Sequence, residues 1–210
     1  MADWATISSL ATAGGTLVLA VATFSAVRSA NRSARVAERS LLAAQRPVLI
    51  PAREDDPTER VTFVDHALTV QGSGGVIELF EDRVYMAIAL RNGGSGLAVI
   101  HGWCVTAEVQ GGPQERPDLD SFRRQQLDLY IPAGGNGFWQ GAIRDPDDPS
   151  HAPLIEAAQG GLRVALDLLY GDQEGGQRTV ARFIMTPTQQ GDGRLARVLR
   201  YWNIDREDPR

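Results

Sequence analysis

The feature that most constrains this chain is a run of 24 residues, at positions 4–27, without a single charged side chain. An α-helix rises about 1.5 Å per residue, so the run would be about 36 Å long, enough to cross a hydrocarbon core of about 30 Å. Trp4 favours a membrane, because indole prefers the lipid–water interface. Alanine, serine, threonine and glycine fill 15 of the 24 positions, so a buried or self-associating soluble helix is the alternative. We predict a single transmembrane helix.

Four arginines follow the run directly: Arg28, Arg32, Arg35 and Arg39. The other flank carries Asp3 and no basic side chain. Basic residues are retained on the cytoplasmic side, so we predict the N-terminus outside the cell and residues 28–210 inside it. A secretory signal peptide needs a basic segment before its apolar run, so we do not expect cleavage. Trp4 and the four arginines are the predicted membrane-flanking residues.

Charge is distributed unevenly along the chain. Residues 1–46 hold five arginines and two acidic residues, a net charge of +3, whereas residues 47–210 hold 16 arginines and 24 acidic residues, a net charge of −8. An acidic domain argues against nucleic-acid binding, which needs a basic footprint. The basic stretch beside the predicted span suits a lipid bilayer with anionic headgroups. The single Cys104 excludes an internal disulfide and fits a reducing compartment.

The helix is expected to continue past the span as an arginine-rich juxtamembrane segment. No glycine or proline interrupts residues 28–45, and Pro47 predicts the end of the helix. Small apolar residues recur there at alternating spacings of three and four: Val27, Ala30, Ala34, Ala37, Leu41 and Ala44. This shallow heptad seam at residues 27–44 predicts either weak self-association or a solitary helix that packs on its own domain. Ala11 and Gly15 add one small-xxx-small pair within the span.

From Pro47 onward the hydrophobic period changes to two, which is typical of strands. The alternating runs lie at residues 48–50, 61–70, 84–90, 98–109, 127–131, 162–170 and 179–185, and glycine-rich or acidic turns separate them. We predict that residues 47–210 form a mainly β domain, an antiparallel β-sandwich or barrel, with one short helix at His151–Gln159. Residues 1–46 form the helical part.

The last element, residues 194–204, is open to two interpretations. Leu195, Val198 and Trp202 fit one face of a basic amphipathic helix that could lie on a membrane. Asp192 and Gly193 precede it and form a hairpin signal, which favours a strand that covers a sheet edge. We favour the strand.

Three segments resemble uncharacterised single-pass membrane proteins of actinobacteria: Ser9-Leu10-Ala11-Thr12 to Arg46-Pro47-Val48-Leu49, Ala89-Leu90-Arg91-Asn92-Gly93-Gly94-Ser95-Gly96-Leu97-Ala98, and Arg200-Tyr201-Trp202-Asn203-Ile204-Asp205. The Leu-x-Asn-x-Gly-x-Gly-x-Ala type of segment also resembles a strand–turn–strand of bacterial immunoglobulin-like domains. The resemblance implies a membrane-tethered immunoglobulin-like β-sandwich and brings no catalytic residues.

The motifs of common enzymes are incomplete. Residues 93–97 resemble a nucleophile elbow, but Leu97 stands where the final glycine belongs. A phosphate-binding loop of the Gly-x-x-x-x-Gly-Lys type needs a lysine, and the chain has none. Gly72 and Gly74 begin a dinucleotide fingerprint, but Ile77 replaces its third glycine. We predict no cofactor and no catalytic residue.

Metal sites are not predicted either. The acidic loop that begins at Asp145 has Glu156 at position 12 of a calcium loop, but Pro149 and Ser150 replace the ligand at position 5 and the glycine at position 6. We interpret it as a solvated loop. The three histidines, His66, His101 and His151, show no zinc-ligand spacing.

Isolated polar and aromatic residues are assigned to packing. Cys104 is interpreted as a small core residue rather than a nucleophile. Neighbours such as Asp65 and His66 point to opposite faces of a strand, which argues against a dyad. The aromatic residues Trp103, Trp139, Tyr170 and Trp202 are predicted to pack in the core and at sheet edges rather than to form a ligand cage.

These observations predict a non-enzymatic, membrane-tethered interaction module that faces the cytoplasm and binds a protein partner through sheet edges or loops. The alternative is an extracytoplasmic module that binds the cell envelope, if the chain inserts the other way. An enzyme with a dispersed site is a third reading, which no motif supports.

Overall fold

The computed structural model describes residues 3–108, 115–188 and 193–208. The chain divides into two compact units, Met1–Ala44 and Gln45–Arg210. The first unit is one helix, and the second is a β-rich domain.

The helix α1 spans Trp4–Ala44, 41 residues, which corresponds to about 60 Å at 1.5 Å per residue. It is long and apolar enough to cross a membrane, and its apolar window is not buried within the protein. Its hydroxyls are satisfied locally: Thr12 and Thr16 each donate to the carbonyl oxygen four residues earlier at 2.9 Å. The hydroxyl groups of these two threonines therefore have hydrogen-bond acceptors within the helix, as a helix in a membrane requires. The helix ends close to Pro47, as predicted.

Within the residues that the structure describes, the second unit contains twelve strands and one α-helix. The strands are β1 (Leu49–Pro51), β2 (Glu59–Thr62), β3 (Ala67–Val70), β4 (Gly74–Phe80), β5 (Arg83–Asn92), β6 (Ala98–Glu108), β7 (Arg123–Arg124), β8 (Tyr130–Ile131), β9 (Asn136–Ile143), β10 (Arg163–Gly171), β11 (Thr179–Pro187) and β12 (Gly193–Asn203). The helix α2 spans His151–Gln159, and a single 3₁₀ turn occupies Leu119–Ser121.

Ten of these strands form one continuous antiparallel sheet. Its hydrogen-bonded path runs β1-β5-β4-β12-β11-β10-β6-β7, while β9 pairs with β5 and β8 pairs with β6. We describe the sheet as two layers: β1, β4, β5 and β9 form one, and the other six strands form the second. A ladder of three residue pairs between β12 and β4 joins the layers.

The main core lies between the two layers. Met86 and Ile88 of β5 pack in one buried cluster with Leu166 and Leu168 of β10 and with strands β6, β9 and β11. Trp103 of β6 and Trp139 of β9 meet edge to face, with ring centroids 5.3 Å apart. The helix α2 contributes Leu154 and Ala157 to the same cluster. The domain is therefore an antiparallel β-sandwich, as predicted.

A second, smaller core covers the outer face of β5. The strands β2 and β3 form a separate hairpin, and its Val61 and Leu68 pack with Tyr85 and Ala87 of β5. Strand β5 is consequently buried on both faces, which explains why its sequence is nearly all apolar rather than alternating.

Three predictions about the β-rich unit are confirmed. Residues 193–203 form strand β12, which pairs with β11 and β4. The predicted short helix matches α2. The predicted aromatic residues Trp103, Trp139, Tyr170 and Trp202 are all buried.

Other strand predictions were wrong. Residues 61–70 are not one strand but the hairpin of β2 and β3, whose turn is closed by a hydrogen bond from the Phe63 N–H to the His66 carbonyl at 2.7 Å. Residues 127–131 form a strand only at β8, because Asp128 adopts a left-handed conformation with φ of 53°.

Strands β4 and β9 were not predicted, because glycines interrupt their patterns. Gly141 of β9 is required by close packing: a Cβ there would lie 2.6 Å from Trp139 and 3.1 Å from Trp103.

Candidate functional site

The main sheet does not close on itself, and the opening lies between β9 and β7. Among the described residues, β9 has a ladder only with β5, and β7 has one only with β6. Each of the two strands therefore presents an open edge. Unpaired edges are the places where another chain can add a strand.

A groove of about 330 Å³ lies at this opening. Its lining consists of residues 63–64 in the hairpin turn, residues 123–127 of β7 and the segment after it, and residues 140–142 of β9, together with Trp103 and Arg144. We call this feature the seam groove. Parts of the domain that are distant in sequence form it, so only the folded chain assembles it.

Two arginines of the seam groove are held in fixed orientations. Arg123 donates to both carboxylate oxygens of Asp148, at 2.6 and 2.7 Å, and its guanidinium lies 5.1 Å from the ring centroid of Trp103. Arg144 donates to both oxygens of Asp65, at 3.1 and 3.0 Å. The hydrogen bonds from Arg144 hold the pKa of Asp65 well below its usual range. Both guanidinium groups are thereby pre-organised.

Arg124, the third arginine of the seam groove, is exposed. It makes no ion pair with any residue that the structure describes. No carboxylate is found among the described lining residues of the groove. The groove therefore presents one guanidinium, that of Arg124, without a paired carboxylate among the described residues, on a domain whose net charge is −8.

Two buried glutamines line the groove, one on each side of the opening. The Gln125 amide nitrogen donates to the carbonyl oxygens of Leu127 at 2.8 Å and of Gln140 at 3.3 Å. The Gln140 amide nitrogen donates to Asp128. Because every acceptor is an oxygen, these bonds determine the orientation of both amides.

The side-chain oxygens of Gln125 and Gln140 have no hydrogen-bond partner in the described part of the chain. Both residues are more than nine-tenths buried. A buried acceptor without a donor costs about 1–3 kcal/mol, so such atoms are uncommon in finished protein interiors. Four other buried side-chain atoms of the described residues also lack a partner, and these two oxygens are the ones that belong to residues lining the seam groove.

Exposed apolar residues stand on both sides of the seam groove. Val64, in the hairpin turn, is 96% exposed, and Leu127 is 59% exposed. Both line the groove. Apolar side chains beside oriented arginines are a composition typical of protein-binding surfaces.

The predicted membrane-flanking residues all lie on α1. Trp4 is exposed at its first turn, and the four arginines follow 24 or more residues later. Their spacings of four, three and four residues place Arg28, Arg32, Arg35 and Arg39 on one side of the helix.

Three of the other residues considered from the sequence, His66, His151 and Asp65, make structural contacts, whereas the Nε2 atom of His101 is buried without a hydrogen-bond partner in the described part of the chain. His66 bonds Glu78 at 3.0 Å and His151 bonds the carbonyl of Asp82 at 2.7 Å. Asp65 contacts Arg83 and Arg144 rather than His66.

In the acidic loop, Asp148 binds Arg123 and the Ser150 N–H. Burial opposes ionisation of Asp148, but these bonds outweigh it and lower its pKa. Within residues 3–108, 115–188 and 193–208, no group of three or more histidine, cysteine or acidic side chains could hold a metal ion. Cys104 is a partly exposed free thiol in β6, opposite Asp167 of β10.

Sequence reasoning did not find the residues of the seam groove. Arg123, Arg124, Gln125 and Gln140 belong to no motif, and β9 was not predicted as a strand. The available signal was a pair of apolar residues in polar surroundings, Val64 and Leu127. Val64 was overlooked because residues 61–70 were predicted as one strand rather than a hairpin.

Comparison with models of known protein families, with curated proteins and with solved structures finds no match to this chain.

Proposed function

We propose that the protein is a membrane-anchored interaction module, without enzymatic activity, whose β-sandwich binds a protein partner at the seam groove. The observation that carries this proposal is the open edge of β9 and β7, bordered by the exposed Val64 and Leu127 and by oriented arginines. The helix α1, long and apolar enough for a membrane, supports the anchor.

We propose the orientation in which the N-terminus is outside and the sandwich is cytoplasmic. The arginines at one end of the apolar run and the free thiol of Cys104 support it. The alternative is the opposite insertion, which would make the sandwich a cell-envelope binding module.

We also propose that the sandwich is immunoglobulin-like and related to domains of actinobacterial single-pass membrane proteins. The segment from Leu90 to Ala98, which carries the resemblance, forms the strand–turn–strand that links β5 to β6. A determination of structure for one of those proteins would test this kinship.

The test of function is site-specific photocrosslinking in intact cells. A photoreactive amino acid at Val64 should produce a discrete adduct of higher mass, whereas the same group at Leu199, an exposed apolar residue of β12, should not. Equal adducts at both positions, or none at Val64, would contradict the proposal. A C-terminal reporter active on one side of the membrane tests the orientation in the same cells.

A further inference from the structure

We infer that the occupant of the seam groove is an extended, acidic peptide segment of the partner, which lies along the open edge of β9 and places a carboxylate on Arg124. This inference rests on the proposed function and specifies the chemistry of the partner.

The main chain of β9 is directed toward the groove at alternate residues. The Gln140 carbonyl accepts from the Gln125 side chain, so it points away from β5 and into the opening. Main-chain groups two residues apart in a strand point the same way, so those of Ala142 share this direction. An extended segment beside β9 can therefore pair with Gln140 and Ala142, as in other cases of strand addition.

The edge of β7 offers the matching side of the opening. The Gln125 N–H donates to the His101 carbonyl of β6 at 2.9 Å, so it points toward the sheet. By the same alternation, the main chain of Arg124 points toward the opening. Arg124 thus contributes both main-chain groups and a guanidinium to the seam groove.

The two glutamines indicate that the missing groups are donors. The amide of Gln125 bonds the Gln140 carbonyl, which is the bond that a peptide N–H would make in an added strand. Both side-chain oxygens lack a donor within the described chain. An incoming peptide brings one N–H per residue, and each amide would exchange its present hydrogen bonds to turn its oxygen toward the peptide.

Charge selects an acidic segment. The charged side chains among the described lining residues are Arg123, Arg124 and Arg144. Arg123 and Arg144 already hold Asp148 and Asp65, so Arg124 is the guanidinium that remains for a carboxylate of the partner. Val64 and Leu127 would contact apolar neighbours of that carboxylate.

An anionic lipid surface is the other ligand that arginines and an exposed valine could bind. A net charge of −8 on the domain repels an extended anionic surface more strongly than a short segment that carries one or two carboxylates. Oriented guanidinium groups and buried amides in a groove also suit a strand better than a fluid headgroup layer. The membrane is therefore an outcome of the test rather than the inference.

The test uses the full chain in detergent micelles and a displayed library of random ten-residue peptides. Peptides selected on the wild type should be enriched in aspartate or glutamate flanked by apolar residues. Their affinity should fall at least about tenfold with Arg124→Glu and less with Arg124→Lys, because a charge-assisted hydrogen bond is lost or weakened. Arg197→Glu, the same change at an exposed arginine of β12, is the matched control and should bind normally.

Photoreactive forms of the selected peptides should crosslink to residues 123–127 or 140–144. Peptides without acidic enrichment that still crosslink there would overturn the acidic class but leave the proposed function intact. Displacement of the peptides by dihexanoyl phosphatidylglycerol through Arg124 would identify a lipid headgroup as the occupant and overturn the inference. If no peptide is selected but Val64 still gives an adduct in cells, the inference of an acidic peptide is overturned. If no peptide is selected and Val64 gives no adduct, the proposed function is contradicted as well.

Discussion

The side-chain oxygen of Asn92 accepts a hydrogen bond from the Val48 N–H at 3.1 Å, across 44 residues of sequence. The same oxygen accepts from the Gly94 N–H at 3.0 Å. The amide nitrogen donates to the carbonyls of Gly96 at 2.7 Å and Ile131 at 3.1 Å. Asn92 is completely buried, and all four of its side-chain hydrogen-bonding positions are used.

Replacement of Asn92 by alanine should therefore destabilise the sandwich by at least about 3 kcal/mol, because four main-chain groups lose their partner. Denaturant unfolding followed by tryptophan fluorescence measures the change. Asn136→Ala, an exposed asparagine at the start of β9, is the control and should cost less than about 1 kcal/mol. Similar losses of unfolding free energy in the two variants would show that the hydrogen bonds of Asn92 do not stabilise the sandwich.

The same network explains a motif that was read from the sequence as a resemblance. A Cβ at Gly94 would lie 2.2 Å from the Arg46 carbonyl oxygen, and one at Gly96 would lie 1.7 Å from that of Gln45. These glycines are needed so that the chain can enter the domain beside the turn. The Asn-x-Gly-x-Gly pattern therefore serves folding, and it does not contribute to the seam groove.

Val64→Asp should separate function from stability. The side chain is 96% exposed, so the free energy of unfolding should change by less than about 0.5 kcal/mol. Recovery of the photocrosslinked partner should nevertheless be lost, because a carboxylate replaces an apolar contact at the groove. In this experiment the photoreactive group is placed at Leu127. The control Leu199→Asp should preserve the adduct, and a preserved adduct in Val64→Asp would argue against the groove.

Asp65 should make stability depend on pH. Its pKa in the folded domain lies below the usual value of 3.8, chiefly because Arg144 donates to it. A carboxyl with a lowered pKa stabilises the folded state above its usual pKa, and this contribution is lost as the pH falls through the lowered value. Wild-type protein should therefore lose more stability than Asp65→Asn between about pH 5 and about pH 3.

Denaturant unfolding at several pH values checks this difference. The comparison cancels the opposite contribution of Asp167, whose pKa is raised by burial. Asp55→Asn removes a charge at an exposed turn and should follow the wild-type profile. If Asp65→Asn also follows it, the Arg144 bond does not contribute to folding.

Leu17→Arg tests the membrane anchor. An arginine near the middle of a transmembrane helix costs about 2.5–3.5 kcal/mol on insertion scales, so a weakly apolar run should insert poorly. Carbonate extraction should then release the variant, while wild-type protein stays with the membranes. Ser33→Arg, on the same helix beyond the apolar run, is the control and should remain bound. Release of the wild type would rule out a transmembrane anchor.

The sequence predicted the parts of the fold that local patterns encode. An uncharged run followed by arginines predicted α1, a continuous apolar run predicted β5, and alternating runs predicted β6, β10 and β11. Prediction failed where tertiary contacts override the pattern: Gly141 allows two indole rings to pack, and Asp128 turns the chain with a positive φ.

The seam groove was outside the reach of sequence reasoning for a similar reason. Gln125 and Gln140 are fifteen residues apart and meet only because β5 and β6 hold β9 and β7 side by side. No local pattern records which sheet edge stays open.

The Asn92 amide also reaches from β5 to the Ile131 carbonyl at the end of β8, on the same unclosed side of the sheet. The unclosed side of the sheet is thus bridged by a hydrogen bond at the Asn92 end, whereas at the Gln125 end no ladder joins the described strands β9 and β7. At the Gln125 end, a side-chain hydrogen bond from Gln125 to Gln140 crosses the opening. We therefore expect a peptide to bind at the Gln125 end without unfolding of the sheet, because no ladder between described strands has to break there.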